Sequence, residues 1–448
     1  MPYILNTQKD IKDILKCLGL SSIDGLFKRI PEQLKLKNSV NLLKGLSEFE
    51  TKNVLMGLAD KNISIDSCNS FLGAGCYDHY IPAALSYILS IPQFLTAYTP
   101  YQAECSQGIL QAIYEYQTYI CLLTGMDVSN ASLFDGASAL SEAVLMALRI
   151  NKKNKILISQ SVHPEYKETL KTYLSGLGFI IKEVGFNNQG IVDNQALFEC
   201  LDDDVSCFAF QSPNFFGLIE NVNELVHEVK GKCVIPIMAT NPLSLSILKE
   251  PGALGVDIVC GDGQTLGGNL NYGGPSFGFI ATGKKYIRQI PGRIVGATVD
   301  KEGKDAYCLT LQTREQHIRR EKATSNICSN QSLNAIGAAV YLSLLGKEGL
   351  KDAALYSFSN AQYLYKRLKE VRGINVPFKP TIFNEFIWEV EDALIIIEKL
   401  YKRNIIPGYY LEDKFPKFKN CILSCCTEKK NKKDIDDFIN AIAEVLHG

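Results

Sequence analysis

The stretch GVDIVCGDGQTLGGNLNYGGPSFGFIATG, residues 255–283, decides how the rest of the chain is read. It opens on a short apolar run (Val256, Ile258, Val259, Cys260), crosses a glycine-rich bend, and closes on a second apolar run over 277–281. Short apolar runs bounded by turn residues are the pattern of buried strands. The intervening glycines, Gly261, Gly263, Gly267, Gly268, Gly273 and Gly274, let the backbone take positive φ and pass close to something bulky. The polar side chains offered at this strand end are Asp262, Gln264, Thr265, Asn269 and Asn271, with no lysine among them.

Working outward, short apolar runs at 156–159, 179–184, 206–210 and 233–238 alternate with helical patterns at 164–174 and 222–229. That rhythm predicts an α/β fold with a mostly parallel sheet covered on both faces. Upstream, 105–124 reads as a helix with Ile109, Ile113, Tyr116 and Ile120 on one face, and 135–150 as another with Asp135 as its N-cap. Near the start, 9–18 carries Ile11, Ile14, Leu15 and Leu18 at helical spacing with Gly19 as a stop, and 34–56 is a second helical region. Beyond residue 330 come helices at 332–345 and 352–371, a strand at 384–390, a helix at 393–403, a strand at 420–427 and a last helix at 434–446. The chain therefore divides into a helical N-terminal arm (1–70), a large α/β domain (71–330) and a small α+β C-terminal domain (331–448).

With 47 basic and 48 acidic residues in 448, no basic footprint points to nucleic acid or an anionic membrane. The opening MPYILNTQKDIKDIL lacks the basic-then-apolar pattern of a signal peptide, and no apolar run is long enough to span a bilayer. Fourteen cysteines without a secretion signal read as reduced thiols of a cytoplasmic protein. Cys421, Cys425 and Cys426 have no histidine nearby and read as core, so no metal is expected.

Five stretches carry a resemblance: LGAGCYDHYIPAAL (72–85), TAYTPYQAECSQG (96–108), FDGASALSEA (134–143), GDGQTLGGNLNYGGP (261–275) and RREKATSNICSNQSLNA (319–335). In order and along the whole length, they resemble the glycine cleavage system P-protein, and more narrowly the first (α) subunit of its split, two-chain form. The resemblance implies a fold-type I pyridoxal phosphate (PLP) transferase fold, with a seven-stranded-type sheet. It implies a glycine dehydrogenase (decarboxylating) of αβ or α2β2 assembly, in which the second subunit bears the PLP. Glycine is decarboxylated there, and the aminomethyl group passes to the lipoyl group of the H-protein.

A self-sufficient fold-type I site needs a Schiff-base lysine, an acidic partner for the pyridinium nitrogen and a phosphate cradle at a helix start. By the resemblance, Gln264 stands in place of the lysine, and a primary amide has no basic nitrogen to form an imine. Asn241 stands in place of the aspartate, a departure from the family pattern whose plain reading is an Asx-turn. Gly136, Ala137 and Ser138 open a helix whose amides suit an anion, but Asp135 at the cap competes for them and repels a phosphate. This chain is therefore expected to have no catalytic residue and no covalently bound cofactor of its own.

His163, between a strand and a helix, holds the position whose imidazole stacks on the cofactor in active relatives; a structural strand-end histidine is the competing reading. His79 reads as a proton shuttle or as a turn histidine. Tyr98, Thr99, Tyr101, Gln102 and Glu104 occupy a Pro-fixed loop that either reaches the partner's pocket or simply packs at the interface. Arg314, Arg319 and Arg320 either steer the H-protein or belong to a solvated connection between domains. Two rival functions stay open: a non-catalytic interaction protein keeping the fold, and a self-sufficient PLP enzyme using an unexpected lysine.

Overall fold

The computed structural model describes residues 5–36, 40–327, 329–379 and 381–447. The chain divides into two compact units, 1–63 and 64–448. In the first unit the helix Gln8–Cys17 is started by Thr7, whose hydroxyl accepts from the Asp10 amide while the Asp10 carboxylate takes the Thr7 N–H at 2.7 Å. The expected helix over 34–56 is found only at Glu48–Ala59. The physical reason is a reciprocal cap: Ser47 Oγ accepts from the Glu50 amide and Glu50 accepts the Ser47 N–H at 2.8 Å, which fixes the first turn there. Leu34 ends a single 3-10 turn, and 37–39 lie outside the described residues. No described residue of this unit is buried.

The second unit is built on a seven-stranded sheet. Its strands are β1 (Val128–Ser129), β2 (Lys155–Ser159), β3 (Ile180–Val184), β4 (Val205–Gln211), β5 (Ile235–Ala239), β6 (Ile258–Asp262) and β7 (Gly278–Thr282). The spatial order is β1-β7-β6-β5-β4-β2-β3, with β6, β5, β4, β2 and β3 parallel and β7 antiparallel to β6. Leu157, Phe208, Phe210, Met238, Val259 and Phe279 enter one core layer, while Ile156, Ile158, Cys207, Ala209, Ile237 and Ile280 enter the other. Alternation with both faces buried is why these strands read as continuous apolar runs. One layer is closed by Gln107–Thr124 and the first half of Ser332–Glu370, the other by Gly136–Asn151 and Pro164–Leu174.

Ser332–Glu370 is one helix with a break at Gly346, where φ 60° and ψ −171° leave the helical region, and this is why two helices are legible in the sequence. Its second half, through Ala361, Leu364 and Leu368, joins a second core under a four-stranded antiparallel sheet. That sheet contains Glu385–Val390 and Cys421–Cys425 and buries Trp388 against Phe438 of the last helix, Lys432–His447. A hairpin of Ile294–Val299 with Asp305–Thr310 and the short β1 were not expected from the sequence. Cys207, Cys260, Cys425 and Cys426 are wholly enclosed, and burial pushes the Cys207 and Cys426 thiols up to about 12.

Candidate functional site

Strands β2, β4, β5 and β6 run parallel, so the residues that follow them emerge at one edge of the sheet. His163, Gln211, Asn241, Asp262 and Gln264 gather there around a cavity of about 30 Å3. The crevice beyond the carboxyl ends of parallel strands is where such sheets bind ligands, in pockets of roughly 300 Å3 or more. Here it is nearly filled by the chain itself.

Gln264 lines this cavity. Its Oε1 accepts the Tyr77 N–H at 2.9 Å, and its Nε2 donates to Tyr77 O and Gly268 O, each at 2.8 Å. Both amide protons are used and the oxygen is engaged, in a residue 4% exposed. Tyr77 is fixed again at its ring: its hydroxyl donates to Glu385 Oε1 at 2.6 Å, and Glu385 Oε2 accepts the Ala74 amide at 3.0 Å. Burial pushes Glu385 up to about 7, against the pull of those two hydrogen bonds.

Asn241 Oδ1 accepts from the Leu243 amide and the Thr265 hydroxyl, both at 3.0 Å, so the side chain caps the turn Pro242–Ser246 and points no charge into the cavity. The start of Gly136–Asn151 is occupied by two carboxylates. Asp135 Oδ1 accepts the Ser138 amide at 2.7 Å and the Ser138 hydroxyl at 2.6 Å, while Asp262 Oδ2 accepts the Gly136 amide at 3.0 Å. Asp262 Oδ1 also takes the Gln264 amide at 2.9 Å and the Ser276 hydroxyl at 2.5 Å, and burial raises its pKa above its ordinary value against the pull of these bonds. Tyr166 lies over Gly136 so closely that a Cβ there would stand 1.9 Å from its hydroxyl. Ala137 sits in the same first turn, half-buried.

His163 caps Pro164–Leu174 through Nδ1, which accepts the Glu165 amide at 3.2 Å, so the proton resides on Nε2 and is donated to Ala74 O at 2.9 Å. Burial holds it neutral by lowering its pKa. Its ring stacks on Tyr166 at 4.9 Å and meets the edge of Phe215 at 4.8 Å. PLP does not fit these groups as they stand. No amine faces the cavity, Asn241 offers no charge, two carboxylates hold the helix-start amides, and Tyr166 covers Gly136.

The other singled-out residues lie elsewhere. His79 Nδ1 is 2.7 Å from Glu428 Oε2, and Glu428 also accepts the Tyr80 amide at 2.6 Å. Burial raises Glu428, but these bonds outweigh it and hold the carboxyl below its ordinary value. Tyr98, Tyr101, Gln102 and Glu104 are exposed, with Thr99 half-buried; the Tyr101 N–H closes a tight turn on Thr99 O at 2.8 Å. Arg319 and Arg320 are exposed, whereas Arg314 is buried and its guanidinium donates to the carbonyls of Leu311, Ile290 and Gly292. Arg314 thus serves the local backbone instead of the surface. Sequence reasoning missed Tyr166, Glu385 and Arg293. Their contacts join segments far apart in the chain; Asp262 was named within the bend, but its bond to the Gly136 amide was not foreseen. Among the described residues no group of His, Cys, Asp and Glu is arranged to hold a metal ion, and no helix is long and apolar enough to cross a membrane.

The model of the glycine cleavage system P-protein family matches residues 1–442. The chain is 48% identical over 451 residues to the probable glycine dehydrogenase (decarboxylating) subunit 1 of Carboxydothermus hydrogenoformans, covering 100% of both chains. It is similar, with a TM-score of 0.91 and 38% identity, to the crystal structure of glycine decarboxylase (P-protein) of the glycine cleavage system in inhibitor-bound form, over 99% of this chain and 100% of that one. A NifS-like protein, at 14% identity and a TM-score of 0.62 over 84% of this chain and 98% of that one, shares the fold alone. The sheet order and these likenesses make the fold that of the fold-type I PLP-dependent enzymes.

Proposed function

This chain belongs to the glycine cleavage system P-protein family, and from that premise we propose that it is the first, cofactor-free subunit of a two-chain glycine decarboxylase of the cytoplasm. The second subunit bears the PLP, which when bound there supplies the electron sink for loss of CO2 from glycine. The aminomethyl group then passes to the lipoyl group of the H-protein. This chain contributes the helical arm, the large and small lobes (1–70, 71–330 and 331–448), and the surfaces that complete the partner's pocket. Exposed Tyr98, Tyr101, Gln102 and Glu104 face that pocket, and exposed Arg319 and Arg320 lie on the approach for an acidic carrier.

One observation carries the assignment: the side chain at the lysine position, Gln264, has both amide protons bonded to Tyr77 and Gly268 carbonyls. It is a structural tie with no chemistry to spare. The alternative, a self-sufficient enzyme, would need another amine. Among the described residues Lys430 is the lysine whose basicity burial lowers, yet its Nζ donates to Asn69 Oδ1 at 3.0 Å and lies 5.0 Å over the Phe71 ring.

The test is to purify the chain alone and with a lysine-bearing homologous partner, and to record the visible spectrum with PLP and the glycine–bicarbonate exchange of each. The proposal expects no borohydride-fixable chromophore on this chain, and exchange only with both chains together. A chromophore fixed to a lysine here, with exchange by this chain alone, would replace it with the self-sufficient reading. Exchange by the partner that this chain neither joins nor alters would leave an interaction protein.

A further inference from the structure

The two stretches outside the filled crevice that the sequence marks for function, 98–104 and 314–320, meet at a residue neither contains. Arg293 follows directly on Gly292 (φ +76°) and is 6% exposed. Its Nη2 donates to the Tyr101 hydroxyl at 2.7 Å, and its guanidinium carbon lies 5.3 Å from the centre of the same ring. Behind it, Nε stands 3.5 Å from Glu315 Oε2, a carboxylate 9% exposed. Glu315 Oε2 is also 3.6 Å from His317 Nδ1, and the His317 ring meets Tyr101 edge-on at 5.9 Å. The segment under Arg293 is held as well. Arg314 donates to Gly292 O at 3.1 Å and to Ile290 O, and the Arg293 carbonyl accepts the Ala131 amide at 2.8 Å.

A buried arginine, paired on one side with a buried carboxylate, therefore ends on the hydroxyl of a tyrosine that is 50% exposed. Arginine has donors only, so the Tyr101 oxygen is the acceptor in that bond. The hydroxyl proton has no protein acceptor among the described residues, and the side chain that carries it is half exposed. A phenol whose oxygen is held by a buried guanidinium while its O–H stays free for a group outside the chain is suited to donate to a partner. The charge behind the oxygen strengthens it in that role, since a hydroxyl that accepts from a cation donates more strongly.

We infer that Arg293 is a positioning residue, which with Glu315 holds the Tyr101 phenol so that its O–H is presented across the subunit interface to an oxyanion of the complex's active site. The inference rests on the proposed function, because it needs the 98–104 loop to reach a partner's pocket. The acceptor is a carboxylate or a phosphate oxygen; the amino-acid substrate supplies the first and the cofactor the second. No proton is transferred in this role and no bond is made or broken.

The test uses the full chain assembled with its PLP-bearing partner. Tyr101→Phe and Arg293→Gln are each expected to lower kcat/KM for glycine about tenfold or more, the scale of a hydrogen bond involving a charged group. Because both act through one oxygen, the double variant falls no further than the worse single one. Arg293→Lys recovers part of the loss, and the melting temperature of Tyr101→Phe stays at the wild-type value. A carboxylate acceptor appears as a raised KM for glycine with unchanged half-saturation by PLP, and a phosphate acceptor as the reverse. Full activity of Tyr101→Phe, additive losses, or losses accounted for by weaker chain association in sedimentation would each overturn the inference. If the wild-type chain restores no exchange, the proposed function and this inference fall together; if it does and Tyr101→Phe equals it, only this inference falls.

Discussion

Gln264 and Tyr77, 187 residues apart, are joined by both ends of one carboxamide: Oε1 takes the Tyr77 N–H at 2.9 Å and Nε2 gives to the Tyr77 carbonyl at 2.8 Å. The pairing mimics a step of β-ladder between a side chain and a main chain, and it ties the 72–80 loop to the glycine-rich bend. A lysine at this position has donors but no acceptor, so the Tyr77 N–H would be left buried and unpaired.

Gln264→Lys should therefore create no glycine exchange in the isolated chain, since Asn241 and the carboxylates at the helix start stay in place. It should also destabilise the fold by about 2–4 kcal/mol, from a stranded amide and a buried amine. Urea titration of the variant with an unchanged m-value checks the second part. Turnover by the variant alone would show that the lysine by itself suffices.

Asn241→Asp is the complementary change. An aspartate keeps the acceptor for Leu243 N and Thr265 Oγ1, so the turn survives and stability should move by no more than about 1 kcal/mol. No PLP absorbance should appear on adding the cofactor to this variant, because the space and the cradle are still taken. Equilibrium dialysis with PLP measures that directly.

Tyr166 can be tested as the plug of the old cradle. Gly136→Ala places a Cβ 1.9 Å from the Tyr166 hydroxyl and 2.8 Å from the Asp262 amide, and should cost about 1–3 kcal/mol as overpacking. Tyr166→Phe in the same background should return part of that loss by removing the nearest atom. A Gly136→Ala variant as stable as the wild type would mean that Tyr166 yields freely.

Glu385 sets a pH dependence whose sign is opposite to that of most carboxylates. Its folded value of about 7 lies above the unfolded one, so the folded chain holds the proton more tightly. The contribution is most favourable below about pH 4.5, and stability declines as pH rises from there through 7. Glu385→Gln keeps an acceptor for the Ala74 amide and a donor for Tyr77, whose hydroxyl can reverse. Its melting temperature should fall less between pH 5 and 8 than that of the wild type. Parallel slopes would place the titration elsewhere.

The parallel strands were legible because each is a short apolar run with both faces covered, and the helix at Pro164–Leu174 because its apolar residues repeat at helical spacing. Asp135 was legible as a cap because capping is local, involving Ser138 three residues on. What local pattern cannot carry is a long-range choice. Val128–Ser129 is a strand only because Thr282 and Ala281 lie beside it, and the helix expected over 34–56 gave way to a start set by Ser47 and Glu50. At the site, Gln264 was visible as a missing amine, but its bond to Tyr77 was not. Nothing in the letters joins Arg293 to Tyr101, or Tyr166 to Gly136, because those contacts depend on where whole elements pack.

The sealed thiols of Cys207 and Cys426 have a practical corollary. Held up to about 12 and closed to solvent, they are invisible to alkylating reagents while the chain is folded, whereas Cys17, Cys105 and Cys233 are exposed throughout. Labelling by iodoacetamide that maps to Cys207 or Cys426, and not to the exposed or half-buried cysteines, thus counts opening events, and the molecule comes with its own gauge of how often its interior is breached.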